Sequence, residues 1–302
     1  MSKNKIVVIG SCNTDMVVKS NRLPVPGETV LGGAFMMNPG GKGANQAVAI
    51  ARLGGNVTFI SKTGNDLFGK QSIEMYSDEN INTDFIFSDP NLPSGVALIM
   101  VDTNGENCIV VASGANSSLN TKDIEKARKV IESADILLMQ LEIPMETVEY
   151  AAKIACEKGI KVILNPAPAA FLSNDLLKCL YAIVPNKTEA EMLTGIKVVD
   201  LDSAKQAADI ISSKGVDIVI ITLGSKGALV KEGNIYYEVP AEKVTAIDTT
   251  AAGDTFCGAL CIAISEGFTT EDAVKMANKA SGITVTRAGA QSSIPYRKEL
   301  NL

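Results

Sequence analysis

The string Asp248-Thr249-Thr250-Ala251-Ala252-Gly253-Asp254-Thr255-Phe256 places small residues and a carboxylate where a loop turns into an apolar helix. Phe256, Ala259, Leu260, Ala263 and Ile264 recur at three- and four-residue spacing and Gly267 ends the run, so the helix starts near Gly253-Asp254. A helix start leaves backbone N–H groups unpaired and carries partial positive charge. Residues as small as Ala251, Ala252 and Gly253 let phosphate oxygens approach it. Asp254 would then lie beside a bound phosphate, where phosphoryl transfer needs a base for the acceptor's hydroxyl proton. The same position also suits an N-cap, a frequent role for Asp.

A second loop, Pro39-Gly40-Gly41-Lys42-Gly43-Ala44-Asn45-Gln46, opens directly into a helix. Its glycines allow close backbone approach, and Lys42 and Asn45 supply donors. It can grip a polyhydroxylated ligand through amides, or a phosphate through the helix start. Asn13-Thr14-Asp15 follows the first strand, where α/β proteins present side chains to ligands; an amide and a carboxylate there suit a pair of sugar hydroxyls, or an ordinary polar turn. Thr222-Leu223-Gly224-Ser225-Lys226-Gly227 either lines a nucleotide's phosphates or simply turns the chain. The spacing of Asn186 and Glu189 fits a capping box and equally a hydrated Mg²⁺. Two other nucleotide signals fail. Gly64-Asn65-Asp66-Leu67-Phe68-Gly69-Lys70-Gln71 has Gln71 where a P-loop needs Ser or Thr, and no GxGxxG follows a strand.

The elements that must hold these loops alternate. Apolar β-branched runs at 6–9, 57–60, 136–139, 162–164, 182–184 and 218–222 are mostly separated by helical patterns at 44–53, 121–133, 145–158, 187–194, 203–214, 255–266 and 271–287. That is an α/β fold, a Rossmann-like three-layer sandwich with a mostly parallel central sheet. Residues 13–38 and 94–112 break the rhythm as short antiparallel strands, expected to form a small β-sheet lid inserted into one domain spanning 1–302. A further hairpin is expected at 228–231 and 235–239.

Composition narrows the chemistry. The 302 residues are 46% hydrophobic with a formal net charge of -6, and no concentrated basic patch marks a nucleic-acid face. Histidine is absent, which excludes His-based triads and His metal ligands, and the six cysteines form no CxxC pair. Lys3 and Lys5 precede only a short apolar run, a strand rather than a signal peptide, and no stretch is long enough to cross a bilayer. A cytoplasmic protein without membrane partners is expected.

Taken in order, Gly40–Asn45, the Asn-x-x-Glu at Asn186–Glu189 and the Asp-Thr-x-x-Ala-Gly-Asp at Asp248–Asp254 make the chain similar to the ribokinase, or PfkB, family of sugar and nucleoside kinases. Asn13-Thr14-Asp15, Leu141-Glu142, Asn165-Pro166-Ala167-Pro168 and Arg287-Ala288-Gly289-Ala290-Gln291 extend the resemblance, nearly end to end, toward its ribose-specific members. The resemblance implies ATP-dependent phosphorylation of D-ribose at O5 by a homodimer joined through its lids. It puts the sugar on Asn13, Thr14, Asp15, Gly41, Lys42, Gly43, Ala44, Asn45 and Glu142, the base at Asp254, and the anion hole at the amides of Ala252, Gly253 and Asp254. It puts ATP on Asn186, Thr222, Leu223, Gly224, Ser225, Lys226, Gly227, Gly253 and Asn278, with Glu189 organising Mg²⁺ through water; Asn278 stands where a histidine often occurs. An activating K⁺ is implied at Asp248, Thr250, Thr284, Arg287, Gly289 and Ser293, mostly through backbone oxygens. Related acceptors are 2-deoxyribose, fructose, a keto-deoxy sugar acid or a nucleoside. With aromatics at 5% and no tryptophan, a nucleoside base has no evident slot. A sugar- or nucleotide-binding protein without catalysis is the reading from another class.

Overall fold

The computed structural model describes residues 4–301; Lys3 lies outside them. Ile6, Val7, Val8 and Ile9 are all buried, and because successive strand side chains point to opposite faces, they feed two cores. Ile6 and Val8 join one, Val7 and Ile9 the other, and Ile136–Met139 divides in the same way. Two apolar faces on one sheet demand helices on both. Lys42–Arg52, Ala252–Ser265 and Thr270–Thr284 cover one face. Thr121–Glu132, Met145–Glu157 and Leu201–Ser213 cover the other. The Ala252–Ser265 helix is buried on every side from Asp254 to Ile264, which explains why its sequence is apolar all round. Gly258 lets it approach Lys42–Arg52 closely, since a Cβ there would stand 2.6 Å from that of Ala49.

The large sheet has nine strands among the described residues, in the order Ile235–Val239, Ala228–Glu232, Ile218–Thr222, Leu180–Ile183, Lys161–Leu164, Ile136–Met139, Lys5–Ile9, Asn56–Gly64 and Ile86–Asp89. All neighbours are parallel except the two pairings of the Ala228–Glu232 and Ile235–Val239 hairpin. The chain changes sides at Lys5–Ile9, with Asn56–Gly64 on one flank and Ile136–Met139 on the other. A crevice opens at the carboxyl ends of strands at such a switch point.

A separate four-stranded sheet runs Ala34–Gly40, Asn13–Lys19, Gly95–Val101, Asn107–Ala112. Its outer pairs are antiparallel as expected, but Asn13–Lys19 and Gly95–Val101 pair in parallel, so two hairpins are joined side by side. The helix Leu67–Asp78 and the edge strand Ile86–Asp89 were not expected from the sequence. No helix among the described residues is long and apolar enough to cross a membrane.

Candidate active site

The strands' carboxyl ends deliver Asn13, Glu142, Asn165, Asn186 and Thr222 to one cavity of about 400 Å³. The small sheet adds Asp15, Ala97, Ile99, Ile109 and Val111, and the two loop-helix junctions add Gly41, Lys42, Asn45 and Thr249 through Asp254. Asn13 and Asp15 are two apart on one strand and share its inner face; Thr14 lies between them and does not line the cavity.

The two helix starts differ. At Lys42–Arg52, the Lys42 N–H donates to Glu142 Oε2 (3.0 Å) and the Gly43 N–H to Ser11 Oγ (3.4 Å), while Ser11 Oγ also donates to Glu142. A carboxylate of the chain therefore occupies the place a phosphate would take, and the phosphate alternative for this loop is closed. Gly43 makes the junction possible, because a Cβ there would meet the Gly10 carbonyl carbon and Ser11 nitrogen at 2.6 Å. Gly43 and Ala44 are buried behind the cavity.

At Ala252–Ser265 no side chain caps the helix; the N-cap is Ala251, held at φ 59°. The Ala252 N–H bonds back to the Thr249 carbonyl at 3.3 Å, whereas those of Gly253 and Asp254 find no acceptor among the described residues. Asp254 is three residues into the helix and does not act as its cap. Its Oδ2 accepts from Asn45 Nδ2 (2.9 Å) and its Oδ1 from Gln46 Nε2 (3.0 Å). Asn45 Oδ1 is left buried without a partner among the described residues.

Among the described residues, Asp15, Glu142, Glu189 and Asp254 share the cavity with one cation, Lys42. Burial raises the Asp254 carboxyl above the usual range, against the pull of Lys42 and the amides of Asn45 and Gln46. Burial, then the charges of Glu142 and Asp254, lift Asp15 to about 6. Desolvation pushes Lys42 down, but Asp254, Glu142 and Glu189 outweigh it, and its ammonium is held above the ordinary value.

Asn186 and Glu189 form a reciprocal capping box: Asn186 Oδ1 accepts from the Glu189 N–H (2.9 Å), and Glu189 accepts from the Asn186 N–H (2.8 Å) and Nδ2 (2.9 Å). Both Glu189 oxygens are engaged, and no cluster of three acidic or cysteine side chains fit for a metal occurs among the described residues. This donor set fits Mg²⁺ held mainly by water and phosphate oxygens. Thr222 lines the cavity, while Leu223 and the 3₁₀ turn Gly224–Lys226 with Gly227 lie outside its lining. Asn278 is elsewhere too: its Nδ2 donates to the Val239 carbonyl (3.0 Å), and it borders a separate hollow of about 430 Å³ with Pro240 and Met276.

Asp248 accepts from the Thr250 N–H (2.9 Å) and Oγ1 (2.6 Å) and from the Gly289 N–H (2.9 Å), drawing together three of the residues expected around a monovalent cation. The other side chains turn away: Thr284 Oγ1 bonds Thr255 Oγ1 and the Ala280 carbonyl, Ser293 Oγ the Ala290 carbonyl, and Arg287 pairs with Glu299. That leaves their backbone oxygens as the groups the resemblance implied for a cation.

Sequence reasoning assigned no role to Ser11, Gln46, Asn116, Gln140 or Asn165. Asn116 is the most direct of them, donating from Nδ2 to Asn13 Oδ1 at 2.8 Å while its Oδ1 accepts from the Cys12 N–H. With its oxygen taken, Asn13 turns its NH₂ group to the cavity.

Residues 3–297 match the model of the pfkB family carbohydrate kinases. The chain belongs to that family. It is a carbohydrate kinase. It is 46% identical to the ribokinase of Haemophilus influenzae, over 98% of this chain and 97% of the relative. It is 39% identical to the deoxyribokinase of Salmonella typhimurium, over 98% and 97%. Among solved structures, the ribokinase of Arabidopsis thaliana complexed with ribose and ATP superposes with a TM-score of 0.92 at 32% identity, covering 100% of this chain and 98% of that one.

Proposed function

We propose that this kinase transfers the γ-phosphoryl group of ATP to O5 of D-ribose, giving ribose 5-phosphate and ADP. The observation that carries the reading is the uncapped start of Ala252–Ser265, two open amides beside a buried carboxylate, in the same cavity as Asn13 and Asp15. Asn13 presents a donor and Asp15 an acceptor on one face, which suits neighbouring ring hydroxyls. Lys42, Asn45, Gly41 and Glu142 complete the sugar's surroundings. Asp254 takes the O5 proton as the bond to phosphorus forms. The Gly253 and Asp254 amides, with Lys42 alongside, meet the charge spread over the transferring group.

Four carboxylates against one ammonium would repel a bare triphosphate, so a divalent cation suits this cavity. Mg²⁺, organised through water by Glu189, would neutralise phosphate charge there. ATP is assigned to Asn186, Thr222, the turn from Leu223 to Gly227, and Asn278. K⁺ at Asp248, Thr250 and the carbonyls of Thr284, Arg287, Gly289 and Ser293 would hold the loop before the anion hole in place. The small sheet would act as a lid that shuts water out of the cavity. Its outer face carries Val18, Phe35 (60% exposed), Met37, Leu98 and Val110 (65%), an apolar patch suited to the lid of a second copy in a homodimer. A cytoplasmic setting fits a reaction that consumes ATP.

A sugar-acid acceptor is disfavoured because no arginine lines the cavity, and a nucleoside because no aromatic ring does. The test is a coupled ADP-release assay with D-ribose, 2-deoxy-D-ribose, D-fructose, a keto-deoxy sugar acid and a nucleoside, with Mg²⁺, with and without K⁺. D-Ribose should give the highest kcat/KM. A value for 2-deoxyribose equal to or above that for ribose would move the assignment to that sugar, and no ADP release with any acceptor would return the chain to a binding role.

A further inference from the structure

The amide orientations behind Asp254 can be worked out from groups whose direction is fixed. The Val184 carbonyl only accepts, so Asn165 must give it Nδ2 (3.0 Å) and turn Oδ1 the other way. Asp254, when ionised, also only accepts. Gln46 lies between them and must therefore offer its NH₂ group to both, at 3.1 Å to Asn165 Oδ1 and 3.0 Å to Asp254 Oδ1. That leaves Gln46 Oε1 facing Gln140, which can only answer with its own NH₂. Gln140 Oε1 then has no hydrogen-bond partner among the described residues, packed where a Cβ on Gly10 would stand 2.1 Å from it. Gln46 and Gln140 are both fully buried, and neither lines the cavity. A buried acceptor left unmade is unfavourable, so a structural core would be better served by an apolar side chain at 140.

We propose that Gln46 and Gln140 are positioning residues: a two-amide relay that fixes the direction of the Asp254 carboxylate and keeps it ionised for proton abstraction. The relay rests on the assignment of Asp254 as the base. Asn165 Oδ1 and Asp254, both acceptors, deny Gln46 its flipped orientation, and Gln140 supplies the donor for the Gln46 oxygen that this leaves over. A flipped Gln46 would aim its oxygen at Asp254, replacing a charge-assisted hydrogen bond with repulsion and favouring the protonated, inactive carboxyl. Asn45 holds the second carboxylate oxygen, so the two amides together leave the base one set of directions.

The experiment is the pH dependence of kcat for the wild type, Q46E and Q140M, each with sugar KM and a thermal melt. In Q46E two carboxyl groups share one proton, so the acid limb should move up by about two pH units. Turnover at a pH below both limbs then falls about 10²-fold and recovers as pH rises, with sugar KM within about threefold of wild type. Q140M removes the donor on Gln46 Oε1 and so loosens the hold on its amide, and the limb should move up by about half to one unit with turnover down about three- to tenfold. Profiles that keep the wild-type limb in both variants, with only KM or melting temperature changed, would overturn the relay. Should Q46E fail to fold, an unmoved limb in Q140M suffices to overturn it. Wild-type turnover in Asp254→Asn would instead remove the base assignment beneath it.

Discussion

Asp15→Asn is predicted to make the protein more stable and worse at its work. The Asp15 carboxyl is raised from 3.8 to about 6, first by burial and then by Glu142 and Asp254. The native state therefore holds that proton more tightly than the unfolded chain does. Stability is lost as pH rises from the unfolded value through the folded one, and above about 6 the loss is constant. At about 1.4 kcal/mol per pKa unit, the ionised carboxylate costs up to about 3 kcal/mol at pH 7.5 but only about 1 kcal/mol at pH 4.5. An amide at 15 recovers part of this: about 1–3 kcal/mol at pH 7.5, or about 2–6 °C in melting temperature for a chain of this size. The gain at pH 7.5 should exceed that at pH 4.5 by up to about 2 kcal/mol. The sugar loses a charged acceptor, so its KM should rise about 10- to 100-fold. Calorimetry or dichroism melts at both pH values, with sugar KM at pH 7.5, measure all of this. An Asn variant that melts lower at pH 7.5, or gains equally at both, would refute the argument that Asp15 is a strained carboxylate kept for the sugar.

Asn116→Ala releases Asn13 Oδ1 and the Cys12 backbone together, and should raise sugar KM about tenfold with a smaller effect on kcat; an unchanged KM would separate Asn13 from sugar recognition. Leu98→Glu with Val110→Glu puts charges on the outer face of the small sheet, and should convert a dimer to a monomer by sedimentation; an unaltered mass would mean the copies meet elsewhere. If the lid excludes water, ADP release without sugar should rise by at least about tenfold when ribose is added, and an equal rate in its absence would count against closure.

Much of the fold was legible because parallel strands buried on both faces are short β-branched runs. The strands Ile136–Met139 and Ile218–Thr222 and the helix Lys187–Thr194 stand where the periodicity put them. The helix Leu67–Asp78 was not, because only Gly69, Ser72 and Tyr76 are buried on it and its start resembles a phosphate loop. Asp66 in fact caps that start, accepting from the Gly69 N–H at 2.9 Å. The parallel pairing at the centre of the small sheet was invisible for a different reason: it joins strands some eighty residues apart, and no turn chemistry announces it. Around the site, residues with a loop signature or a carboxylate were readable from sequence. Asn116, Gln140 and Ser11 were not, since they act on other side chains and lie in no motif of their own. Gln46 closed the glycine-rich loop string and Asn165 opened one that carries the family resemblance, and the signal available was an amide at a position that faces a core.

The central claim is that Asp254 is the base poised at an open helix start. Its most direct test is kcat and ribose affinity of Asp254→Asn, which keeps the shape and one acceptor for the amides of Asn45 and Gln46 while removing the ability to take a proton. Turnover should fall by about 10²–10⁴ with ribose binding within a few fold of wild type. Turnover near the wild-type value, or a loss confined to ribose binding, would contradict it.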